Sequence, residues 1–93
     1  MTVNNFLKEN QDILELYTKT VAKVHGDDFP EVIKVRNIYL DLEEKRLANN
    51  NDFAQEFEAL REATNNYAIP EDACETFAAT YKMLKKVDDL YTK

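Results

Sequence analysis

Few side chains in this sequence could do chemistry. The chain has a single histidine, His25, and a single cysteine, Cys74. A nucleophilic thiol needs a base or a second thiol beside it, and sequence spacing places no such group near Cys74. Its acidic neighbours Glu71, Asp72 and Glu75 oppose thiolate formation. We therefore interpret Cys74 as a small core residue in the first turns of a helix.

His25 is the only candidate for a nitrogen ligand to a metal. A carboxylate-bridged di-iron site in a helical bundle uses Glu-x-x-His pairs, and no Glu stands three residues before His25. Only Asp27 and Asp28 follow it closely. A histidine at a helix C-terminus that interacts with the helix dipole is the simpler interpretation. The sequence thus predicts no catalytic residue, no metal ligand and no cofactor-binding residue, and therefore no cofactor.

Composition predicts one all-α domain over residues 1–93. Hydrophobic residues make up 44% of the chain and aromatic residues 11%, which is enough for a core. One glycine and two prolines leave long stretches free to form helices. No apolar run approaches the roughly 20 residues that span a bilayer, and the first residues lack a signal-peptide pattern. Together with the lone cysteine, these features predict a cytoplasmic protein.

The charge balance disfavours two classes of partner. The net charge is −6, and the lysine and arginine residues are scattered along the chain. Such a surface repels both nucleic-acid phosphates and anionic lipid headgroups. We expect neither nucleic-acid nor membrane binding, and we interpret the acidity as a contribution to solubility.

Hydrophobic spacing and capping signals predict four helices, over about 5–25, 29–48, 52–65 and 70–92. Asn4 or Asn5 can cap the first helix, and Gly26 is expected to end it in the left-handed conformation. Asp28 and Glu31 have the spacing of a capping box at the start of the second. The charged run 43–46 is expected to form a solvated face.

The fourth predicted helix is the clearest. Pro70 suits a first helical turn, and negative charges follow it at the positive end of the helix dipole. An apolar stripe then recurs at steps of three and four residues: Ala73, Phe77, Tyr81 (or Thr80), Leu84, Val87 and Tyr91. Short loops favour an antiparallel up-down four-helix bundle. Helical hairpins exchanged between two chains are the leading alternative.

Two segments resemble the iron–sulfur cluster repair family. They are TNNYAIPEDACETFAATY, followed by DDLY, near the C-terminus, and VAKVHGDDFPEV near the first helix junction. Proteins of that family are hemerythrin-like four-helix bundles that hold a di-iron centre and act against nitrosative and oxidative damage. The resemblance implies the same bundle for this chain.

The family's iron ligands are not matched. Counting from the shared motifs, two of the ligand positions fall on Asn4 and Asn50, and no counterpart of the second-helix ligand segment stands between Leu42 and Phe53. The fourth-helix ligands would fall beyond Lys93. The family's N-terminal cysteine-bearing segment has no match either. The resemblance therefore implies a truncated hemerythrin-like bundle without iron.

These observations predict a metal-free, non-catalytic binding or regulatory module. We expect a homodimer or a protein partner to cover the shortened end of the bundle, where Phe6, Phe53, Leu90 and Tyr91 would otherwise be poorly covered. The alternative is a metal-binding iron–sulfur cluster repair or stress-response protein. In that case His25 and acidic residues would form a site completed between subunits or by a partner.

Overall fold

The structure, a computed structural model, describes residues 1–92. It contains five helices: α1 (Val3–Glu9), α2 (Gln11–His25), α3 (Glu31–Leu47), α4 (Ala54–Thr64) and α5 (Glu75–Thr92). The same residues include no strand, which confirms the all-α prediction. None of the helices in this range is both long enough and apolar enough to cross a membrane.

The predicted first helix is two helices, and Asn10 separates them. Its backbone leaves the helical region at φ −109° and ψ 13°, and its side-chain amide donates to the Phe6 carbonyl at 2.9 Å. Asparagine competes with the helix backbone for hydrogen bonds in this way. The prediction of one helix from about residue 5 is therefore wrong. The cap is Thr2, whose hydroxyl accepts from the Asn5 amide.

Gly26 does not end α2 in the left-handed conformation. Its φ of −60° and ψ of −30° are right-handed, and a turn follows in which the Phe29 amide donates to the His25 carbonyl at 2.7 Å. Glycine is nevertheless needed here. An ideal Cβ at Gly26 would lie 2.4 Å from the Ala22 carbonyl oxygen and 3.1 Å from a methyl carbon of Ile33. The close approach of the Ala22 carbonyl, in the last turn of α2 itself, explains the glycine, rather than a positive φ.

The predicted capping box at the start of α3 does not form. Pro30 precedes the first helical residue and no side chain caps this end, so the pairing of Asp28 with Glu31 is wrong. The helix itself spans almost the predicted residues.

The last helix begins later than predicted. Pro70 lies in a separate turn that the Ala73 amide closes on the Pro70 carbonyl at 3.1 Å. The first helical bond runs from the Ala78 amide to the Cys74 carbonyl at 3.0 Å. Helix α5 therefore starts at Glu75, and Cys74 occupies the capping position.

The core is one cluster of buried side chains drawn from all five helices and their connections. Its largest fully buried members are Tyr39, Tyr81, Phe53, Phe57 and Phe77. Aromatic rings fill a small helical core efficiently because each buries a large apolar area.

The apolar end that we expected to be poorly covered is mostly closed. Phe6 is 5% exposed and Phe53 1% exposed, while Leu90 and Tyr91 are half-buried. The rings of Phe53 and Phe57 pack against Tyr91, with centroids 6.2 Å and 5.1 Å from it. The prediction of bare apolar side chains at this end is therefore wrong for the two phenylalanines.

The charged run at the end of α3 is only partly solvated. Glu43 is 7% exposed, and its Oε2 accepts from Arg46 Nη2 at 2.7 Å. Lys45 reaches across to α4 and donates to Glu56 at 2.8 Å. The prediction of a fully solvated face fails because the long arginine and lysine side chains neutralise carboxylates that the packing of helices has partly buried.

Candidate functional site

The two residues that sequence spacing left apart meet at the junction of α2 and α5. His25 Nε2 lies 3.2 Å from Cys74 Sγ, within hydrogen-bonding distance for sulfur. Cys74 is exposed and His25 is half-buried. The prediction that Cys74 is a core residue is therefore wrong. The prediction that no base lies beside it is also wrong, because His25 does.

Each member of the pair is held by a helix end. His25 is the last residue of α2, and its ring stands edge-on to Phe77 with centroids 5.4 Å apart. Phe29 packs against the same phenylalanine, also at 5.4 Å. On the other side, the Phe77 amide donates to Cys74 Sγ at 3.5 Å. The sulfur thus faces an imidazole nitrogen and a backbone N–H at the start of a helix.

This geometry can support nucleophilic chemistry at sulfur. The thiolate is the reactive form of cysteine, and an imidazole at this distance can accept the thiol proton. The N–H at the helix start can then donate to the negative sulfur. Sequence spacing gives no sign of the pair, but the order of the helices is a signal that could have revealed it. Wherever two helices run antiparallel, the end of one lies beside the start of the other.

A second cluster of polar side chains, around Tyr67 and Asp88, has a different geometry. Tyr67 Oη donates to Asp88 Oδ2 at 2.8 Å, and Arg61 donates to both oxygens of the same carboxylate, each at 2.8 Å. Asp88 is 4% exposed and Tyr67 8%. We call these three residues the Tyr67–Asp88–Arg61 lock, since they join α4, the loop after it and α5.

The loop that carries Tyr67 has an unusual backbone. Asn65, Asn66 and Tyr67 all have positive φ, between 53° and 63°. Asparagine tolerates this conformation, and Asn65 ends α4 in it, but tyrosine rarely adopts it. The hydroxyl of Thr64 accepts from the Tyr67 amide at 2.8 Å and donates to the Leu60 carbonyl at 2.6 Å. These bonds hold the strained residue in place.

Burial dominates the electrostatics of the lock. It raises the pKa of Tyr67 far above its ordinary value, and the hydrogen bond and charge of Asp88 add to that rise. The hydrogen bond from Arg61 to Asp88 raises the pKa of the arginine as well. Both groups therefore keep their protons over the neutral range, and the lock is a closed set of satisfied partners.

The residues at the positions of the family's iron ligands, Asn4 and Asn50, are poor donors to iron. Asn4 Nδ2 donates to Asn51 Oδ1, and the Asn50 carboxamide accepts from the Asp52 amide at 3.0 Å. Di-iron centres in bundles are built from carboxylates and imidazoles, whereas these are neutral amides bonded within the chain. Nowhere in residues 1–92 do three or more His, Cys, Asp or Glu side chains come together as a metal site. The donors present do not fit a di-iron centre.

No family model matches the chain, and neither a curated protein nor a solved structure is significantly similar to it.

Proposed function

We propose that this chain is a metal-free, non-catalytic binding or regulatory module related to the iron–sulfur cluster repair proteins. Its fold in this proposal is a hemerythrin-like, up-down four-helix bundle, in which α1 and α2 together form the first helix. The order of contacts supports this topology. Gln11 meets Arg46 while Glu15 meets Arg36, so α2 and α3 run in opposite directions.

The relationship to the repair proteins is supported by the roles of the shared residues. In the TNNY segment, Thr64 and the two asparagines shape the loop, and Tyr67 bonds to the first Asp of the DDLY segment, Asp88. Residues that serve packing can be retained when a metal site is absent. We therefore propose that the resemblance reflects the scaffold and not the iron chemistry, in a cytoplasmic protein.

One observation carries the binding role: an apolar stripe on the outer side of α3. Ile33, Leu40 and Leu47 stand at seven-residue steps, and 47%, 41% and 70% of their respective surfaces are exposed. Residues seven apart lie almost on one line along a helix. We call these three residues the α3 stripe. Large exposed apolar side chains in a row are typical of interaction surfaces.

The α3 stripe replaces the bundle end as the proposed contact surface. Phe6 and Phe53 are buried within the chain and need no partner to cover them. A second copy of the chain offers an identical stripe, and two such stripes can pack across a two-fold axis. A homodimer through α3 is therefore the form of binding that we propose.

Sedimentation velocity over a range of micromolar concentrations tests this proposal. We expect a concentration-dependent dimer that Leu40→Gln shifts to monomer. The matched control is Leu16→Gln on α2, where the exposed fraction is 58% and the dimer should persist. A wild-type monomer at all concentrations, or equal effects of the two variants, contradicts the proposal.

Metal analysis of protein purified without chelators tests the metal-free part separately. We expect iron, zinc and manganese far below one equivalent per chain. Near-stoichiometric metal that dissociates with His25→Gln would instead support the alternative of a repair or stress-response protein with a site completed between subunits.

A further inference from the structure

We propose that Cys74, with His25 as its base, is a site of thiol–disulfide exchange with small disulfides that carry no net negative charge. This inference is independent of the α3 stripe and of the proposed binding role. It depends on two side chains from different helix ends that the fold brings to 3.2 Å.

Access and local geometry favour reaction at this sulfur. Cys74 is exposed, so a small disulfide can approach it from solvent. His25 is fixed by the end of α2 and by the Phe77 ring, which limits the loss of side-chain entropy when the pair acts. The Phe77 amide already points at the sulfur. Base and N–H donor are therefore both in place before a disulfide arrives.

The step balances without any other reactant. His25 Nε2 takes the thiol proton, and Cys74 Sγ attacks one sulfur of the disulfide R–S–S–R. A new sulfur–sulfur bond forms as the old one breaks, and the leaving thiolate takes the proton from His25. The products are the mixed disulfide of Cys74 and one molecule of R–SH. The disulfide is the oxidant, and the thiol of Cys74 is oxidised.

The mixed disulfide would be stable in the isolated chain. Cys74 is the only cysteine in the sequence, so no second thiol can resolve the adduct. An external thiol is required to reverse the reaction. Cys74 is therefore suited to reversible modification and not to the turnover of a two-cysteine oxidoreductase.

Charge selects among small disulfides. Glu71, Asp72 and Glu75 lie within three residues of Cys74 along the chain, and Asp27 and Asp28 follow His25 closely. The chain as a whole has a net charge of −6. This field attracts cationic disulfides and repels anionic ones, and the effect weakens as salt screens it.

The test follows the mass of the intact chain during reaction with three aliphatic disulfides. These are cystamine, which is cationic, 2-hydroxyethyl disulfide, which is neutral, and 3,3′-dithiodipropionate, which is anionic. We expect the rate to fall in that order and the differences to shrink at high salt. The variant His25→Gln should react with cystamine at least about tenfold more slowly.

Two further arms separate base catalysis from a loss of structure. The matched control Lys23→Gln, on the same last turn of α2, should keep most of the wild-type rate. Added imidazole should restore part of the rate of His25→Gln, which a purely structural defect would not allow. Equal rates for wild type and His25→Gln, no rescue by imidazole, or fastest reaction with the anionic disulfide would each overturn the proposal.

Discussion

The Tyr67–Asp88–Arg61 lock and the His25–Cys74 pair both use residues of the C-terminal part of the chain, but they differ in burial. In the lock, a carboxylate that is 4% exposed accepts three hydrogen bonds of 2.8 Å. In the pair, an exposed sulfur has one imidazole contact and one long bond from a backbone N–H. Polar residues only seven positions apart, Tyr67 and Cys74, therefore have opposite relations to solvent.

The difference shows how a polar residue can be assigned to structure or to chemistry. Most buried polar groups are hydrogen-bonded within the protein, because an unpaired one costs about 1–3 kcal/mol. Once it is bonded within the protein and closed off from solvent, such a group contributes to stability. An exposed group can remain partly unpaired at little cost, since water serves it. The lock is therefore expected to control folding and the pair to control reactivity.

The largest expected effect is that of Asp88→Asn. It removes the charge that faces Arg61 and replaces the carboxylate that accepts from Tyr67 by an amide. We therefore expect the free energy of unfolding to fall by about 2–3 kcal/mol. Arg61 has a side chain that is 37% exposed, which keeps this below the cost of a fully buried pair. Urea denaturation followed by circular dichroism measures the change.

The neighbouring residue provides the matched control. Asp89 forms an exposed pair with Lys85 at 3.2 Å, and both side chains are about 60% exposed, at 61% and 58%. Asp89→Asn should change the free energy of unfolding by less than about 0.5 kcal/mol. Similar losses from the two substitutions would mean that the lock contributes no more than a surface ion pair.

A second prediction concerns alkaline pH and the buried tyrosines. Burial raises the pKa of Tyr67 and Tyr39 far above the ordinary value and that of Tyr81 to about 12. Between pH 10 and each folded-state pKa, the unfolded chain loses a proton that the folded chain keeps. Stability is therefore complete below pH 10 and should fall above it, by about 1.4 kcal/mol per pH unit for each tyrosine.

Phenylalanine variants separate the lock from simple burial. Tyr67→Phe should lower the free energy of unfolding by about 1–2 kcal/mol at neutral pH, because it removes the hydrogen bond to Asp88. It should also make the fall of stability with pH above 10 less steep. Tyr81 Oη is buried and has no hydrogen-bond partner among residues 1–92. Tyr81→Phe should also make the fall of stability above pH 10 less steep, but it should not lower the free energy of unfolding at neutral pH. Denaturant midpoints between pH 7 and pH 11 test this contrast, which a neutral-pH loss in Tyr81→Phe would contradict.

Helix identity was predictable from local pattern, whereas helix ends depended on competing hydrogen bonds. The spacing of apolar residues correctly predicted the range that became α3 and, to within a residue, the end of α4. It could not predict that Asn10 would bond to the Phe6 carbonyl and break the first helix. Nor could it predict that the turn after Pro70 would close before α5 begins. These outcomes depend on side-chain and turn bonds of similar energy to the helical bonds they replace.

The candidate site was less predictable because it is long-range. Composition identifies His25 and Cys74 as the only candidates, but the sequence predicts a structural role for each, because burial is predicted from helical spacing. That spacing predicts Cys74 inside a helix and therefore in the core. A start of α5 one residue after it instead places the side chain at an exposed helix end. A shift of a few residues in a helix boundary is enough to turn a core residue into a surface one.

The smallest expected effect on stability is that of substitutions at Cys74 in the His25–Cys74 pair. Cys74 caps α5 through the bond from the Phe77 amide, so Cys74→Ala should lower the free energy of unfolding by no more than about 1 kcal/mol. Cys74→Ser keeps a capping acceptor and should be neutral within about 0.5 kcal/mol, since serine is a preferred cap. Urea denaturation of both variants beside Asp88→Asn measures the difference. A loss of stability from Cys74→Ser as large as that from Asp88→Asn would show that the pair, like the lock, is needed for folding. The assignment of the lock to folding and of the pair to reactivity would then be wrong.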